Sequence, residues 1–199
     1  MACCTPGRFR GSKGRMAVVI SMLRGVNVGG HKLLKMDALR ALYESLGLKE
    51  PQTYVQSGNV VFKTKDRDLT LLARKIENGI EETFAMHSDV ILRTPAELRN
   101  VIAKNPFAGR DGIGPKKLLV NFLASDPGPE AREKVLSIKA DPDELQMEGR
   151  DLYIYFPNGM GRSKLPWAVI DRALKTRGTA RNWNSVIKLL EIAEKLEQT

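Results

Sequence analysis

Two short polar segments near the start of the chain carry side chains suited to binding an anion. The first lies in a glycine-rich loop and contributes Arg24, Asn27, Gly29, Gly30 and Lys32, and the second contributes Gln56, Ser57 and Asn59. Glycines let backbone N–H groups turn inward around an anion, and basic side chains add charge, so phosphate or carboxylate is the natural ligand. The sequence alone favours the simpler interpretation, that loop and turn only reverse the chain, because the glycine spacing fits neither common phosphate-binding pattern.

A second polar group lies toward the C-terminal end. It contains Arg162, Ser163 and Lys164 in a strand-to-helix loop, and Arg181 and Asn182 before the last predicted helix. Two basic residues at a helix start oppose the helix dipole, which slightly favours a bound anion there. Ser163 would cap the helix or donate to a phosphate, and Asn184 is the predicted N-cap of the last helix. The sequence does not place this group beside the first.

Chemistry beyond binding has few candidate residues. Both cysteines, Cys3 and Cys4, lie within the first fifteen residues, so residues 16–199 contain no thiolate nucleophile and no cysteine zinc site. His31 could act as a general base, but a loop histidine is more often simply solvated. No Ser-His-Asp pattern is present. We therefore predict no metal and no cofactor, catalytic residues remain unknown, and the sequence leaves open whether the protein is an enzyme.

Composition narrows the class of protein. The chain has 199 residues, of which 42% are hydrophobic and 28% charged, as in ordinary globular proteins. No apolar run approaches the ~20 residues that span a bilayer, so we predict a soluble protein without a membrane partner. A cysteine-free segment 16–199 is compatible with a reducing cytoplasm, where we expect the protein to reside.

The first fifteen residues differ from the rest. They hold four basic and no acidic residues, and without them the formal net charge of this basic protein falls from +9 to +5. They lack both hydrophobic periodicity and the apolar centre of a secretory signal. We interpret residues 1–15 as a disordered leader from a mis-assigned start, with Met16 as the working initiator. The alternative is a basic tail for nucleic acid or acidic lipid.

The polar segments must be positioned by secondary structure, and apolar periodicity predicts two successive βαββαβ units. The predicted strands are 16–23, 53–55, 60–62, 90–92, 118–123, 144–147, 152–156 and 179–183, and the predicted helices are 36–46, 69–84, 95–104, 129–138, 165–175 and 185–196. The predicted fold class is α+β, with two tandem ferredoxin-like subdomains (α-β plaits) that have antiparallel sheets. Residues 16–94 form the first, 95–116 a connector helix and hinge loop, and 117–199 the second, with an extra C-terminal helix.

This topology makes a geometric prediction. In a βαββαβ sandwich the strands lie in the spatial order 4-1-3-2, so the end of the first strand lies beside the turn between the second and third. The loop that begins at Arg24 and the turn 56–59 should therefore meet. The result would be one pocket mouth rich in hydrogen-bond donors.

Five ordered motifs carry a resemblance to a known family. They are 23–30, 53–60, Asn105-Pro106-Phe107, Gly161-Arg162-Ser163-Lys164 and 178–184. Together they resemble the bacterial domain of unknown function 1697 family, from about Met16 to the end of the chain. The resemblance implies two α-β plait subdomains and a usual start near Met16. It implies no activity, substrate or cofactor.

Three functions remain after these observations. The best supported is binding of a small phosphorylated or otherwise anionic ligand. The alternative is nucleic-acid binding, although RNA-recognition domains stack bases on aromatic residues of the first and third strands, where this chain offers only Phe62. A second alternative is a protein-interaction module, for which no residue argues specifically. The oligomeric state is not indicated.

Overall fold

Apolar β-branched runs and amphipathic segments fold into two halves with the same order of elements. The computed structural model describes residues 16–27 and 34–199. The first half contains β1 (Ala17–Leu23), α1 (Met36–Ser45), β2 (Lys49–Tyr54), β3 (Asn59–Thr64), α2 (Leu69–Phe84), β4 (Val90–Arg93) and α3 (Pro95–Ala103). The second contains β5 (Leu118–Leu123), α4 (Gly128–Leu136), β6 (Glu144–Glu148), β7 (Asp151–Tyr155), α5 (Trp167–Leu174), β8 (Gly178–Asn182) and α6 (Trp183–Gln198).

The strands form two four-stranded antiparallel sheets. Their orders are β2-β3-β1-β4 and β6-β7-β5-β8, so the predicted placement of each first strand between the third and fourth is confirmed. The described fold is therefore mixed α and β, with two antiparallel sheets and six α-helices. No helix within the described residues is both long and apolar enough to cross a membrane.

The two halves share one core. The outer face of each sheet is covered by two helices, α1 and α2 on the first and α4 and α5 on the second. The inner faces pack into a common cluster that includes Ile20 of β1, Val120 of β5, Leu98 of α3 and Val186 of α6. The helix predicted as a connector, α3, therefore packs in the shared core together with α6.

Local signals in the sequence set several helix starts. The Asp68 side chain accepts hydrogen bonds from the backbone N–H groups of Thr70 and Leu71 at 2.9 and 3.0 Å. Thr94 and Glu97 form the predicted capping box of α3. Both N-terminal signals are confirmed because they act over three residues or fewer and need no tertiary context.

The start of α6 corrects one prediction. Asn182, not Asn184, is the N-cap: its backbone is extended and its Oδ1 accepts a hydrogen bond from the Ser185 N–H at 2.9 Å. The prediction of Asn184 was wrong because β8 passes directly into α6, which begins at Trp183. Asn182 thus has a structural role.

Candidate functional site

The start of the glycine-rich loop meets the turn between β2 and β3. The Asn27 Nδ2 donates to the Gln56 carbonyl at 2.7 Å, and the same side chain makes two hydrogen bonds with the backbone of Leu34. Asn27 has a φ of 57°, a left-handed conformation that asparagine tolerates well. Its side chain therefore joins both ends of the loop to the turn. Gly29, Gly30, His31 and Lys32 lie outside the described residues.

Gly58 allows β1 and the turn to approach closely. Its φ is +70°, and a Cβ added there would lie only 2.7 Å from the Leu23 Cβ. The Leu23 N–H donates to the Gly58 carbonyl at 3.0 Å. Glycine is required on both grounds, and the contact fixes the position of the last carbonyl of β1.

That carbonyl is one of five neutral acceptors around a buried arginine, Arg181 of β8. Only 7% of Arg181 is exposed. Its Nε donates to the Asn59 Oδ1, Nη1 to the Thr179 Oγ1 and the Ala180 carbonyl, and Nη2 to the carbonyls of Leu23 and Ser57. All five N–H groups are satisfied, yet none of these partners carries a negative charge.

Arg93 of β4 occupies the corresponding position in the first half. Arg93 pairs in register with Ile20 of β1, as Arg181 pairs with Val120 of β5. Its Nη2 reaches across to the last carbonyl of β5, from Leu123, at 2.9 Å. Arg93 is as buried as Arg181, but it also binds a carboxylate, Asp151, at 3.1 Å.

The neutral Asn59 of β3 occupies the position in the first half that Asp151 of β7 occupies in the second. Asn59 lies opposite Met22 of β1, and Asp151 lies opposite Phe122 of β5. The same contrast continues around each arginine. Glu97, the third residue of α3, pairs with Arg150, whereas the third residue of α6 is Ser185 and the turn residue before Asn59 is Gly58. Two acids balance two bases around Arg93, and no acid balances Arg181.

The imbalance has an electrostatic consequence. Burial lowers the pKa of Arg181 to about 10, and no charged neighbour contributes to the shift. The guanidinium still carries its proton at neutral pH. It is therefore a buried cation whose desolvation is offset by hydrogen bonds alone.

Arg181 forms part of the wall of a cavity between the two halves. The cavity, which we call the Arg24 cavity, has a volume of about 340 Å³. Its lining comprises Leu23, Arg24, Gly25, Val26, Ser57, Asn121, Trp167, Asp171, Gly178, Thr179, Ala180 and Arg181. The lining residues come from the end of β1 and the segment after it, the turn before β3, and from β5, α5 and β8.

Arg24 and Asp171 form an ion pair at this cavity. Their side chains are 2.7 Å apart and remain 41% and 40% exposed. The Arg24 backbone is fixed, because its N–H donates to the Asp89 carbonyl and its own carbonyl accepts from the Ser88 hydroxyl. The guanidinium therefore sits on a rigid backbone with a partner that solvent can reach. Exposed pairs of this kind contribute little stability and exchange readily.

Asn121 adds an amide to the wall. It is 3% exposed, and no residue of the described chain forms a hydrogen bond with its side chain. Gly178 on β8 makes room for it, since a Cβ at Gly178 would lie 2.9 Å from the Asn121 Oδ1. Its amide nitrogen and oxygen are therefore placed to donate to and accept from a ligand.

The structure separates the described site residues into four groups. Arg24, Ser57 and Arg181 line the cavity, whereas Asn27, Gln56 and Asn59 hold the neighbouring segments and Arg181 in place. Arg162, Ser163 and Lys164 do not line it; the Ser163 hydroxyl donates to Asp143 and accepts from the Leu165 N–H, and α5 has no side-chain cap. Asn182 caps α6.

Sequence reasoning missed Asn121 and Asp171. Asn121 had a usable signal, since it is the one polar residue inside the apolar strand Leu118–Leu123. Asp171 had none, because it belongs to the polar side of an ordinary amphipathic helix. No group of three His, Cys, Asp or Glu side chains with metal-binding geometry occurs in residues 16–27 and 34–199.

Comparison with known proteins supports the fold. No curated protein matches the chain. Among solved structures, it is similar to the conserved bacterial protein SP0830 from Streptococcus pneumoniae, with 21% identity and a TM-score of 0.64 over 90% of this chain and 99% of the other. At this identity the likeness concerns the fold alone.

The family comparison covers more than half of the chain. The profile described as "Protein of unknown function (DUF1697)" matches residues 16–153. The match begins at Met16, as the resemblance implied, and ends before the last two motifs. The chain belongs to the DUF1697 family of proteins of unknown function.

Proposed function

We propose that the protein binds a small phosphorylated or otherwise anionic ligand in the Arg24 cavity. The observation that carries the proposal is the buried charge of Arg181 in the cavity wall, which has no carboxylate partner in the described part of the chain. Arg93, at the equivalent position of the first half, has one in Asp151. A buried cation without a counterion attracts an anion into the nearest accessible space. The charged side chains of the lining are Arg24, Asp171 and Arg181, which leave a net charge of +1.

Arg181 and Arg24 would contribute differently to binding, because only Arg24 has N–H groups that can turn to a ligand. Arg181 has all five donors engaged, so it supplies positive potential rather than direct hydrogen bonds. Arg24 is half exposed and can turn from Asp171 to a ligand, offering the paired donors that suit phosphate and carboxylate. Asn121 and the Ser57 hydroxyl complete the polar lining.

Each half supports a ferredoxin-like interpretation. The strand orders and antiparallel pairing of both sheets are those expected of an α-β plait, and we propose that the chain is a tandem of two such units, extended by α3 and α6. The cysteine-free segment 16–199 supports a place in the reducing cytoplasm.

Nucleic-acid binding has less support. In the described residues, helices cover the outer face of each sheet and the inner faces share one core. Phe62, the aromatic residue of the third strand, is fully buried against Tyr43. Stacking of bases on an open sheet therefore has no surface here.

Thermal unfolding in the presence of anions tests the proposal. Inorganic phosphate, sugar phosphates, nucleotides and polyphosphate are compared with sodium chloride at equal ionic strength. A ligand that binds the folded state raises Tm with concentration. We expect a phosphate-specific rise in the wild type, and an affinity at least ~10-fold weaker in Arg24→Ala.

Two further variants make the result specific. Arg99→Ala removes an exposed arginine that pairs with Glu194 and Glu197 and does not line the cavity, so it matches the change in net charge and should respond like the wild type. Asn59→Asp gives Arg181 a fixed carboxylate and should weaken phosphate binding. No phosphate-specific rise in the wild type, or an equal rise in Arg24→Ala, would contradict the proposal.

A further inference from the structure

A second cavity lies where the loop after α3 meets the start of α6. It has a volume of about 570 Å³, and we call it the aromatic cavity. Its lining includes Tyr54, Asn105, Phe107, Arg110, Trp183 and Asn184. Two motifs that the anion site does not use, Asn105-Pro106-Phe107 and the residues after Arg181, therefore converge here. The volume is within the range of small-molecule sites.

Arg110 provides a flat surface in this cavity. Its two terminal nitrogens each bind one oxygen of Glu144 at 2.8 Å. Its guanidinium carbon lies 5.4 Å from the centre of the Phe107 ring and 5.5 Å from that of Tyr155. The ion pair with Glu144 and the two aromatic rings thus fix the guanidinium plane. The Arg110 side chain nevertheless remains 47% exposed. A fixed guanidinium plane stacks well on planar rings.

Each basic side chain that lines the aromatic cavity has an acidic partner, although Glu144 itself lies outside the lining. Arg110 is neutralised by Glu144, and Lys188 by Glu191 at 2.8 Å. At the Arg24 cavity, by contrast, Arg181 has no acidic partner among the described residues. A charged ligand would therefore gain no net attraction here, and an uncharged ligand fits better.

The remaining lining favours a ring with a polar edge. Tyr54 and Trp183 are half-buried, so each offers part of its ring to the cavity. The Asn105 Oδ1 accepts from the Phe107 N–H, which leaves its amide hydrogens for another acceptor. Asn184 is exposed at the same wall. Aromatic faces with nearby amides bind planar heterocycles by stacking and by hydrogen bonds to the ring edge.

We propose that the aromatic cavity binds an uncharged, planar nitrogen heterocycle of about the size of a nucleobase, stacked on Arg110 and recognised at its edge by Asn105 and Asn184. The site stands independently of the Arg24 cavity. A ligand that carries only a heterocycle would occupy it without any phosphate group.

The two tryptophans allow each cavity to be followed separately. Trp167 lines the Arg24 cavity and Trp183 the aromatic cavity. The Trp167→Phe variant, which keeps Trp183 as its one tryptophan, is titrated with adenosine, guanosine, cytidine and uridine, and with ribose as a non-planar control. We expect saturable quenching by at least one nucleoside and none by ribose. In Trp183→Phe, the same nucleoside should leave Trp167 emission unchanged.

A third variant tests whether the quenching of Trp183 depends on the guanidinium of Arg110. Arg110→Ala in the Trp167→Phe background should weaken the nucleoside by ~10-fold, whereas Arg99→Ala in the same background should not. Absence of saturable quenching with all four nucleosides, or unchanged affinity in Arg110→Ala, would overturn the inference. Phosphate titrated into Trp183→Phe reports on the Arg24 cavity alone, so failure of one site is distinguishable from failure of the other.

Discussion

Arg93 and Arg181 cross between the two halves in opposite directions, each donating from Nη2 to the last carbonyl of the other half's first strand. The distances are 2.9 Å to the Leu123 carbonyl and 2.8 Å to the Leu23 carbonyl. The two arginines thus perform the same structural task. Only Arg93 has a carboxylate, Asp151, beside it. The difference between these two positions, rather than the burial of either, points to a ligand near Arg181.

Removing the carboxylate from the Arg93 position should be costly. Asp151→Asn would leave Arg93, which is 1% exposed, as a second buried cation without a counterion. We expect a loss of about 3 kcal/mol in the free energy of unfolding, measured by urea denaturation. The control Asp126→Asn breaks an exposed pair with Arg132 and should cost under about 1 kcal/mol. Equal losses in the two variants would refute this comparison.

Asp171 should compete with the ligand for Arg24. Asp171→Asn removes the partner at 2.7 Å and raises the net charge of the cavity lining. We expect phosphate affinity to rise by ~3- to 10-fold, with little change in stability because the pair is exposed. Isothermal titration calorimetry with inorganic phosphate measures the effect. Affinity equal to or below that of the wild type would mean that Arg24 does not turn toward the anion.

Gly58 should tolerate no side chain. In Gly58→Ala the new Cβ meets the Leu23 Cβ at 2.7 Å, and φ is already +70°. We expect a loss of about 3 kcal/mol in the free energy of unfolding. Gly149 occupies the equivalent hairpin with φ +55° and open space around it, so Gly149→Ala should cost only about 1 kcal/mol. The difference isolates the close approach from the strained φ.

Glu97 should make stability fall in acid. Burial alone would raise its pKa, but hydrogen bonds from Thr94 and the charge of Arg150 outweigh this effect, and the pKa is lowered. A lowered carboxyl pKa stabilises the fold fully above the unfolded pKa, about 4.3, and the contribution disappears as pH falls through the folded value. Below about pH 4.3, the free energy of unfolding of Glu97→Gln should therefore depend less on pH than that of the wild type. Equal pH dependence of the free energy of unfolding in the two proteins would contradict a lowered pKa of Glu97.

The sequence predicted elements whose signals are local. The capping box at Thr94, the cap at Asp68 and the strand Leu118–Leu123 each depend on neighbouring residues, and all three are confirmed. The strand order followed from element order. The meeting of loop and turn then followed from strand order, and the contact between Asn27 and Gln56 bears it out.

The sequence did not reveal the electrostatic contrast. The partner of Arg93 lies 58 positions away, and that of Arg181 lies 122 positions away. No local pattern distinguishes a buried arginine with an acid beside it from one without. The register of both sheets was needed before Asn59 and Asp151 could be recognised as occupants of one equivalent position. The helix cap at Asn182 was missed for a related reason, since only tertiary pairing shows where β8 ends.

The shared core makes the stability of each half depend on the other. Helices α3 and α6 lie together in the same buried cluster as the inner faces of both sheets. A chain cleaved in the exposed stretch 108–112 would yield fragments that each expose part of the shared apolar core to water. Such fragments should reassociate into a nicked, native-like protein rather than survive as separate folded pieces.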